Sequence, residues 1–433
     1  MTDTLAVADG LVLTPAFDVV EADVLVDADA GTVIEVGPDL AAAADETLDA
    51  AGGLVIPGLV NAHCHAAMTL LRGYADDEPL DTWLREHVWP VEAALTPDDI
   101  RAGTELALVE LIRSGVTAFA DMYFAVEEVA AAVEAAGIRA RLGHGVVTVG
   151  KDDEAARADL EESFAVAERL DGAADGRVRT AVMPHSLTTV ADDLLAETAD
   201  RARDADVPIH FHLNETPDEV APIVDEHGVR PSAHADELGL LTDSTFVAHG
   251  VHTDPSEFDV LAERGTSVVH CPASNMKLAS GMAPVQAMLD AGVPVALGTD
   301  GAASNNDLDL FDELRDAAML GKLAADDAAA VDAETAFRMA TAGGAEALGI
   351  DAGRIAAGAN ADLAVVDLDA PHLTPAHDLV SHLVYAVRGS DVRHTVCDGR
   401  VVMRDRDVLA FDEAAVRERA QEHAVALVAR AEE

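Results

Sequence analysis

Lysine is almost missing from this sequence: Lys151, Lys277 and Lys322 are the only three in 433 residues, and every other cation is arginine. Positive charge of either kind is scarce, with 28 Lys+Arg against 80 Asp+Glu and a formal net charge of −52. Nucleic-acid phosphates and anionic lipid head groups are bound through basic patches, so this scarcity argues against DNA, RNA and membrane surfaces as partners. Cysteine is scarce too. Cys64, Cys271 and Cys397 are odd in number, far apart and without a C-x-x-C pair, which argues against a disulfide framework and fits a reducing cytoplasm. No run of about 18 uninterrupted apolar residues occurs. The start, Met1-Thr2-Asp3-Thr4, lacks the charged and apolar regions of a signal peptide, so a soluble, untargeted chain is expected.

What is abundant is apolar surface and acid together. Half of the residues are hydrophobic, whereas disordered chains combine high net charge with low hydrophobicity, so a folded chain with a sizeable core is expected. The acids are spread through every region rather than gathered in a tail. In molar salt the Debye length falls to about 3 Å and such self-repulsion is screened. The composition therefore reads as adaptation to a salt-rich cytoplasm, a halophilic trait that bears on habitat and not on chemistry.

Along the chain, short β-branched runs alternate with Ala-, Glu- and Leu-rich helical stretches. Eight strand windows stand out, at 54–63, 115–122, 138–147, 178–186, 207–215, 244–251, 266–274 and 293–301. Helical patterns fill 97–114, 125–136, 153–170, 191–205, 217–226 and 282–291, and parallel sheets need such crossovers. The expected fold class is α/β, a (β/α)8 TIM barrel. A doubly wound open sheet is the alternative, but no G-x-G-x-x-G follows any strand window. Both flanks instead alternate apolar and polar residues around Asp-Gly and Ala-Gly turns, as antiparallel strands do. Each end is too small for a core of its own, so the two are expected to combine in one small β-sandwich. The expected organisation is a composite sandwich from 1–56 and 352–410, a catalytic barrel over 57–351, and a C-terminal helix over 411–433.

The sharpest local feature is Asn61-Ala62-His63-Cys64-His65, at the end of the first barrel window. Strand side chains alternate faces, so His63 and His65 point into the barrel mouth together, and imidazoles so held suit a transition metal. Other strand ends supply matching groups: His185 after the fourth window, His212 and Glu215 on the fifth, His249 on the sixth and Asp300 on the eighth. Active sites of this fold lie at that face. His210 and His212 form a second H-x-H on one face, with His210 deeper in the barrel. His252 and His270 read as structural.

The segments NAHCHAAMTLLRG (61–73), DMYF (121–124), MPHSLTT (183–189), HLNET (212–216), VAHGVH (247–252), CPASNMKLASGMAPV (271–285) and LGTDGAASNNDLDLFDELR (297–315) together resemble the amidohydrolase superfamily. More narrowly, they resemble its S-adenosylhomocysteine/5′-methylthioadenosine deaminase branch, over almost the whole chain. The resemblance implies one divalent ion per subunit, usually zinc, on His63, His65, His212 and Asp300. The fourth strand window has no lysine to bridge a second metal, as binuclear relatives do. The activity it implies is hydrolytic deamination of 5′-substituted adenosines such as 5′-methylthioadenosine, S-adenosylhomocysteine and 5′-deoxyadenosine. Zinc would acidify the attacking water, and Glu215 would protonate the ring nitrogen and pass a proton to the leaving ammonia. Asp300 would take or orient the water's proton, and His249 would stabilise developing charge. Glu92, in WPVEAAL, would accept the ribose hydroxyls, and His185 would touch the nucleoside. Where relatives place a carboxylate-clamping arginine this chain has His144, which favours small 5′ groups. Superfamily members are often dimers or tetramers. Two other readings share part of this pattern. A same-fold hydrolase of triazines, free cytosine or guanine would have no use for Glu92, and an inactive scaffold would lack at least one ligand or acid.

Overall fold

The computed structural model describes residues 3–432. Met1, Thr2 and Glu433, the outermost residues of the terminal segments outlined above, lie outside the described residues. Eight strands occupy the apolar windows: β1 (Leu59–Cys64), β2 (Val116–Tyr123), β3 (Arg139–Val146), β4 (Val178–Thr180, continued by Met183–Pro184), β5 (His210–Leu213), β6 (Phe246–His249), β7 (Ser267–His270) and β8 (Val295–Leu297). All run parallel to their neighbours, β1 to β4 in one sheet and β5 to β8 in another. Between the sheets, parallel bridges join Val182 to Ile209 and Ser186 to His212. On the opposite side the Asp300 amide donates to the His63 carbonyl at 3.1 Å. Gly298 permits that approach, because a Cβ there would sit 2.8 Å from the His63 backbone nitrogen and oxygen.

The crossover helices start where the sequence caps them. α1 (Pro97–Arg113) opens on a capping box between Thr96 and Asp99, with Pro97 in the first turn. α2 (Val126–Ala136), α3 (Asp153–Leu170), α4 (Asp192–Ala205) and α5 (Pro217–His227) follow the predicted ranges within a residue or two. Several windows are shorter or split, three of them for a reason visible in proline. The expected strand 54–63 is two strands, because Pro57 has no N–H for a ladder and Gly58 turns the chain. Gly53–Pro57 pairs antiparallel with Leu363–Asp367, and only Leu59–Cys64 enters the parallel sheet. The expected helix 282–291 is shortened to Val285–Asp290, since Pro284 disfavours helical backbone before it. The fifth window narrows to His210–Leu213, beyond Pro208.

The two ends of the chain build two further sheets. One has four strands, in the order Thr32–Gly37, Asp23–Asp27, Thr4–Ala8, Glu46–Asp49. The other has seven and mixes both termini: Gly53–Pro57 carries Leu11–Leu13 on one side and Leu363–Asp367 on the other. Leu5, Val7, Val24, Val26, Val55, Leu363 and Val365 from the two sheets share one apolar cluster. The last helix, α6 (Glu413–Ala431), lies on α1. Asp99, already in the α1 cap, receives His423 at 2.7 Å and also Arg430, while Glu105 takes Arg419 and Arg113 reaches Glu413 at 2.7 Å. No described helix is long and apolar enough to cross a membrane.

Acid excess makes salt the expected control on this fold. Lowering KCl from molar to millimolar concentration lengthens the range of repulsion among 80 carboxyl-bearing side chains, and the thermal midpoint should fall before catalytic parameters change. Melting curves across a KCl series check this; a midpoint independent of salt would refute it.

Candidate metal and active site

β1 sets the centre. Asn61 locks β1 to the end of β8 by donating to the Thr299 hydroxyl at 2.8 Å and accepting its amide at 3.0 Å. His63 and His65, two residues apart, then lie on one face with ring centroids 4.8 Å apart, while Cys64 is buried on the other side in the apolar layer. β5 and β6 bring His212 and His249 to the same point, and the turn after β8 brings Asp300. Ligand atoms of His63, His212, His249 and Asp300 all lie within 4.8 Å of one another. His65 Nε2 stands 3.2 Å from Asp300 Oδ1 and 3.4 Å from His212 Nε2.

The outward nitrogens of these rings are all engaged, which decides what the inward ones offer. His65 Nδ1 donates to the Met122 carbonyl at 2.7 Å and His212 Nδ1 to the His185 carbonyl at 2.8 Å. His249 Nδ1 faces the Asn275 carbonyl oxygen at 3.0 Å. His63 Nδ1 meets His210 Nε2 at 2.8 Å. Each ring, when neutral, therefore turns a bare Nε2 into the cluster, those of His63 and His65 toward Asp300 and that of His249 toward Glu215. His63 Nε2, 3.4 Å from Asp300 Oδ1, is fully buried and has no hydrogen-bond partner. Asp300 is steadied from behind, where Oδ2 accepts the hydroxyls of Ser274 and Ser304, each at 2.7 Å.

The electrostatics ask for a cation at this point. Burial holds His63 down to about 4 and pushes His210, His212 and His249 below their ordinary range, so these rings are neutral. Burial opposes charge on His65 as well, yet the Asp300 carboxylate prevails and lifts it to about 9. Burial likewise pushes Asp300 up, but the adjacent His63 and His65 rings bring it well below the carboxylate range. Converging imidazole lone pairs and one carboxylate, with donors on the outward side of the rings, fit a borderline divalent ion such as zinc. Two of the residues are held in left-handed backbone, His249 at φ 75° and Asp300 at φ 59°. Such strain in non-glycine residues gathers at functional sites.

Two carboxyls flank the cluster. Glu215, just beyond β5, is buried with Oε2 3.6 Å from His249 Nε2, and burial together with the nearby Asp300 charge raises it to about 8. Its amide donates to Glu219 at 2.7 Å, a second carboxyl that burial lifts to about 8. Glu92 sits farther out, on the helical segment Leu80–Glu92, whose middle, Trp83–Val88, is a π-helical turn. Such wide turns recur at functional sites. The Tyr123 hydroxyl donates to Glu92 Oε1 at 2.6 Å, and burial raises this carboxyl too. The cleft above the cluster is lined by Leu80, Trp83, Leu84, Trp89, Phe124 and Val147 at its apolar wall, with Glu92, His185, His212, Glu215, His249 and Asp300 opposite and below. Both tryptophans of the sequence are among the lining residues, and no lysine or arginine is.

Every residue selected from the sequence thus lines or floors one cleft. His63, His65, His212, His249, Asp300 and Glu215 meet at its floor, and Glu92 and His185 form its walls. His185 packs its ring on His212 at 4.5 Å and engages the Thr189 hydroxyl at 3.0 Å. His252 and His270 stay outside, as expected; His252 bonds the Ser280 carbonyl at 2.7 Å. His144 turns away to Asp159 at 2.9 Å, which also holds Lys151 at 2.7 Å. Reading residues alone left Tyr123, Phe124, Ser274, Asn275, Ser304 and Glu219 without roles. All but Glu219 lie in DMYF, CPASN and DGAASN, where polar and aromatic residues at strand ends were the available signal.

A model of the amidohydrolase family matches residues 54–402 of this chain. A protein of Natronomonas pharaonis named 5-methylthioadenosine/S-adenosylhomocysteine deaminase is 69% identical over 99% of both chains. One of the same name from Haloarcula marismortui is 70% identical, again over 99% of both. Among solved structures, an adenosine deaminase from Xanthomonas campestris with bound zinc is 38% identical, superimposes with a TM-score of 0.93, and matches over 99% of each chain.

Proposed function

The chain belongs to the amidohydrolase family, and from that premise we propose that it is a zinc-dependent deaminase of 5′-substituted adenosines. The observation that carries this is the convergence of imidazole nitrogens on Asp300 beneath a cleft in which the buried Glu215 is raised to about 8. His63, His65, His212 and Asp300 would hold one divalent ion, whose Lewis acidity would make a water nucleophilic enough at neutral pH to attack C6 of adenine. Asp300, its Oδ2 held by the hydroxyls of Ser274 and Ser304, orients that water and accepts its proton. Glu215, proton-loaded by its burial, protonates the ring nitrogen; left as a carboxylate, it takes the hydroxyl proton of the C6 adduct and relays it to the departing ammonia, and the water proton held by Asp300 reloads it. His249, held by Asn275, steadies developing negative charge once its Nε2, bare at rest, takes up a proton.

The framework follows the same reading. Residues 57–351 form a closed (β/α)8 barrel, supported by the bridges between β4 and β5 and by the Asp300 to His63 hydrogen bond between β8 and β1. Residues 1–56 and 352–410 form a composite β-sandwich, supported by the apolar cluster its two sheets share. The segment 411–433 closes the chain against α1. The cleft opens at the carboxyl ends of the barrel strands, where this fold places its chemistry.

Substrate choice follows from the walls. Glu92, braced by Tyr123, accepts the ribose hydroxyls, and His185 contacts the nucleoside. The apolar wall suits a methylthio or a plain 5′-methylene group, whereas the nearest cation for the amino-acid tail of S-adenosylhomocysteine is Arg85, in the outer part of the cleft beside Trp89. The protein, purified in molar KCl with zinc measured per chain, should convert adenine to hypoxanthine spectra fastest with 5′-methylthioadenosine and 5′-deoxyadenosine. Equal kcat/KM for S-adenosylhomocysteine would refute the preference, and turnover confined to free cytosine, guanine or triazines would refute the nucleoside reading altogether. Glu92→Gln should lower kcat/KM for nucleosides by roughly 10- to 100-fold, the loss of a charged hydrogen bond, and leave the zinc content unchanged.

A further inference from the structure

His210 is the one imidazole of the cluster that never reaches the cleft. It is completely buried, one turn of the strand below His212, with its ring stacked on Phe246 at a centroid distance of 4.1 Å and 13° between planes. A packing role alone would explain that stack. It would not explain the two ring nitrogens, which are both used. Nδ1 lies 2.7 Å from the Phe246 carbonyl oxygen, and Nε2 lies 2.8 Å from His63 Nδ1.

These two contacts allow one arrangement of protons. A carbonyl oxygen only accepts, so His210 Nδ1 carries its hydrogen. Buried where its ring nitrogens face only a carbonyl and another imidazole, His210 is neutral, and its Nε2 therefore has a lone pair and no hydrogen. His63 Nδ1 must then donate to it, which leaves His63 Nε2 bare and aimed at Asp300. The other inward-facing rings obtain the same tautomer from carbonyl oxygens: Met122 for His65, His185 for His212 and Asn275 for His249. Only His63 obtains it from another imidazole.

We propose that His210 is a positioning residue that fixes the metal-binding tautomer of His63, passing the orientation of the Phe246 carbonyl through two imidazoles to the ion. This rests on His63 being a ligand. Outer partners of this kind are worth about 10- to 100-fold in metal affinity.

The test replaces His210 by Phe, which preserves the ring and its stack but removes the acceptor, and by Gln, whose side-chain carbonyl can accept from His63 Nδ1. Zinc affinity is read by competition with a chromophoric chelator in molar KCl, with circular dichroism confirming the fold. His210→Phe should bind zinc about 10- to 100-fold more weakly than the parent, and His210→Gln should recover most of the loss. Parent-like affinity in His210→Phe, or equal losses in both variants, would overturn the proposal. Failure of the parent itself to bind zinc would instead overturn the metal reading on which it rests. A second measurement does not depend on the variants folding. In the cobalt-substituted parent, the proton spectrum should contain strongly shifted, solvent-exchangeable N–H signals from the ligand imidazoles, one of them in slow exchange because it is buried against His210. Absence of a slowly exchanging signal would also overturn the proposal.

Discussion

Glu215→Gln is expected to lower kcat by roughly 10²- to 10⁴-fold, the usual worth of a positioned general acid, while the zinc content stays at the parent level. The amide matches the carboxyl in shape and still hydrogen-bonds, but it has no proton to transfer to the ring nitrogen or to the leaving ammonia. The pH profile carries the sign. Burial and the Asp300 charge raise Glu215 to about 8, so the acid form prevails at neutral pH and is lost as pH rises through that range. A bound divalent ion pulls in the other direction and moves the limb toward lower pH. Either way kcat should fall on the alkaline side in the parent, and the limb due to Glu215 should disappear in the variant. Stability should move oppositely to activity: a buried carboxyl is replaced by a neutral amide, so the melting midpoint should stay level or rise. A variant with more than a tenth of parental turnover would remove Glu215 from the reaction.

The second large effect separates two histidines that distance alone does not. By mutual distance, His249 groups with His63, His212 and Asp300. Direction argues otherwise. His65 Nε2 stands against both Asp300 and His212, whereas His249 Nε2 faces Glu215 at 3.6 Å. His65→Ala should therefore lose both zinc and activity, since it removes a ligand. His249→Ala should retain one zinc per chain and lose roughly 10²- to 10³-fold in kcat, the scale of a lost group that stabilises developing charge. Metal analysis of the two purified variants checks the assignment, and zinc loss in His249→Ala with retention in His65→Ala would reverse it.

The parts of the site visible in the sequence are those that a strand's own alternation dictates. His63 and His65 share a face because two residues separate them, and Glu215 follows His212 closely enough to share its strand end. What stayed hidden depends on register between strands. Nothing local to HFHL says that His210 will lie 2.8 Å from His63, 147 residues earlier, because that contact requires β1 and β5 to face each other across the interior. The same holds for Ser274 and Ser304 behind Asp300, and for Tyr123 beneath Glu92. Conversely, the split of window 54–63 was written in Pro57-Gly58 but masked by an unbroken run of apolar residues, which a strand pairing antiparallel and one pairing parallel show equally. Termini that pair with each other left a clear trace, since neither end holds enough strands for a core.

The cleft also carries its own optical probe. Trp83 and Trp89 are the only indoles in 433 residues, and both line the wall over the proposed zinc. All tryptophan emission from this protein therefore originates in the wall of this cleft. Quenching on titration with a slowly turned-over nucleoside would report occupancy directly, without a label and at the high salt in which coupled assays fail. It would also let binding be timed separately from the ultraviolet change that accompanies loss of the amino group.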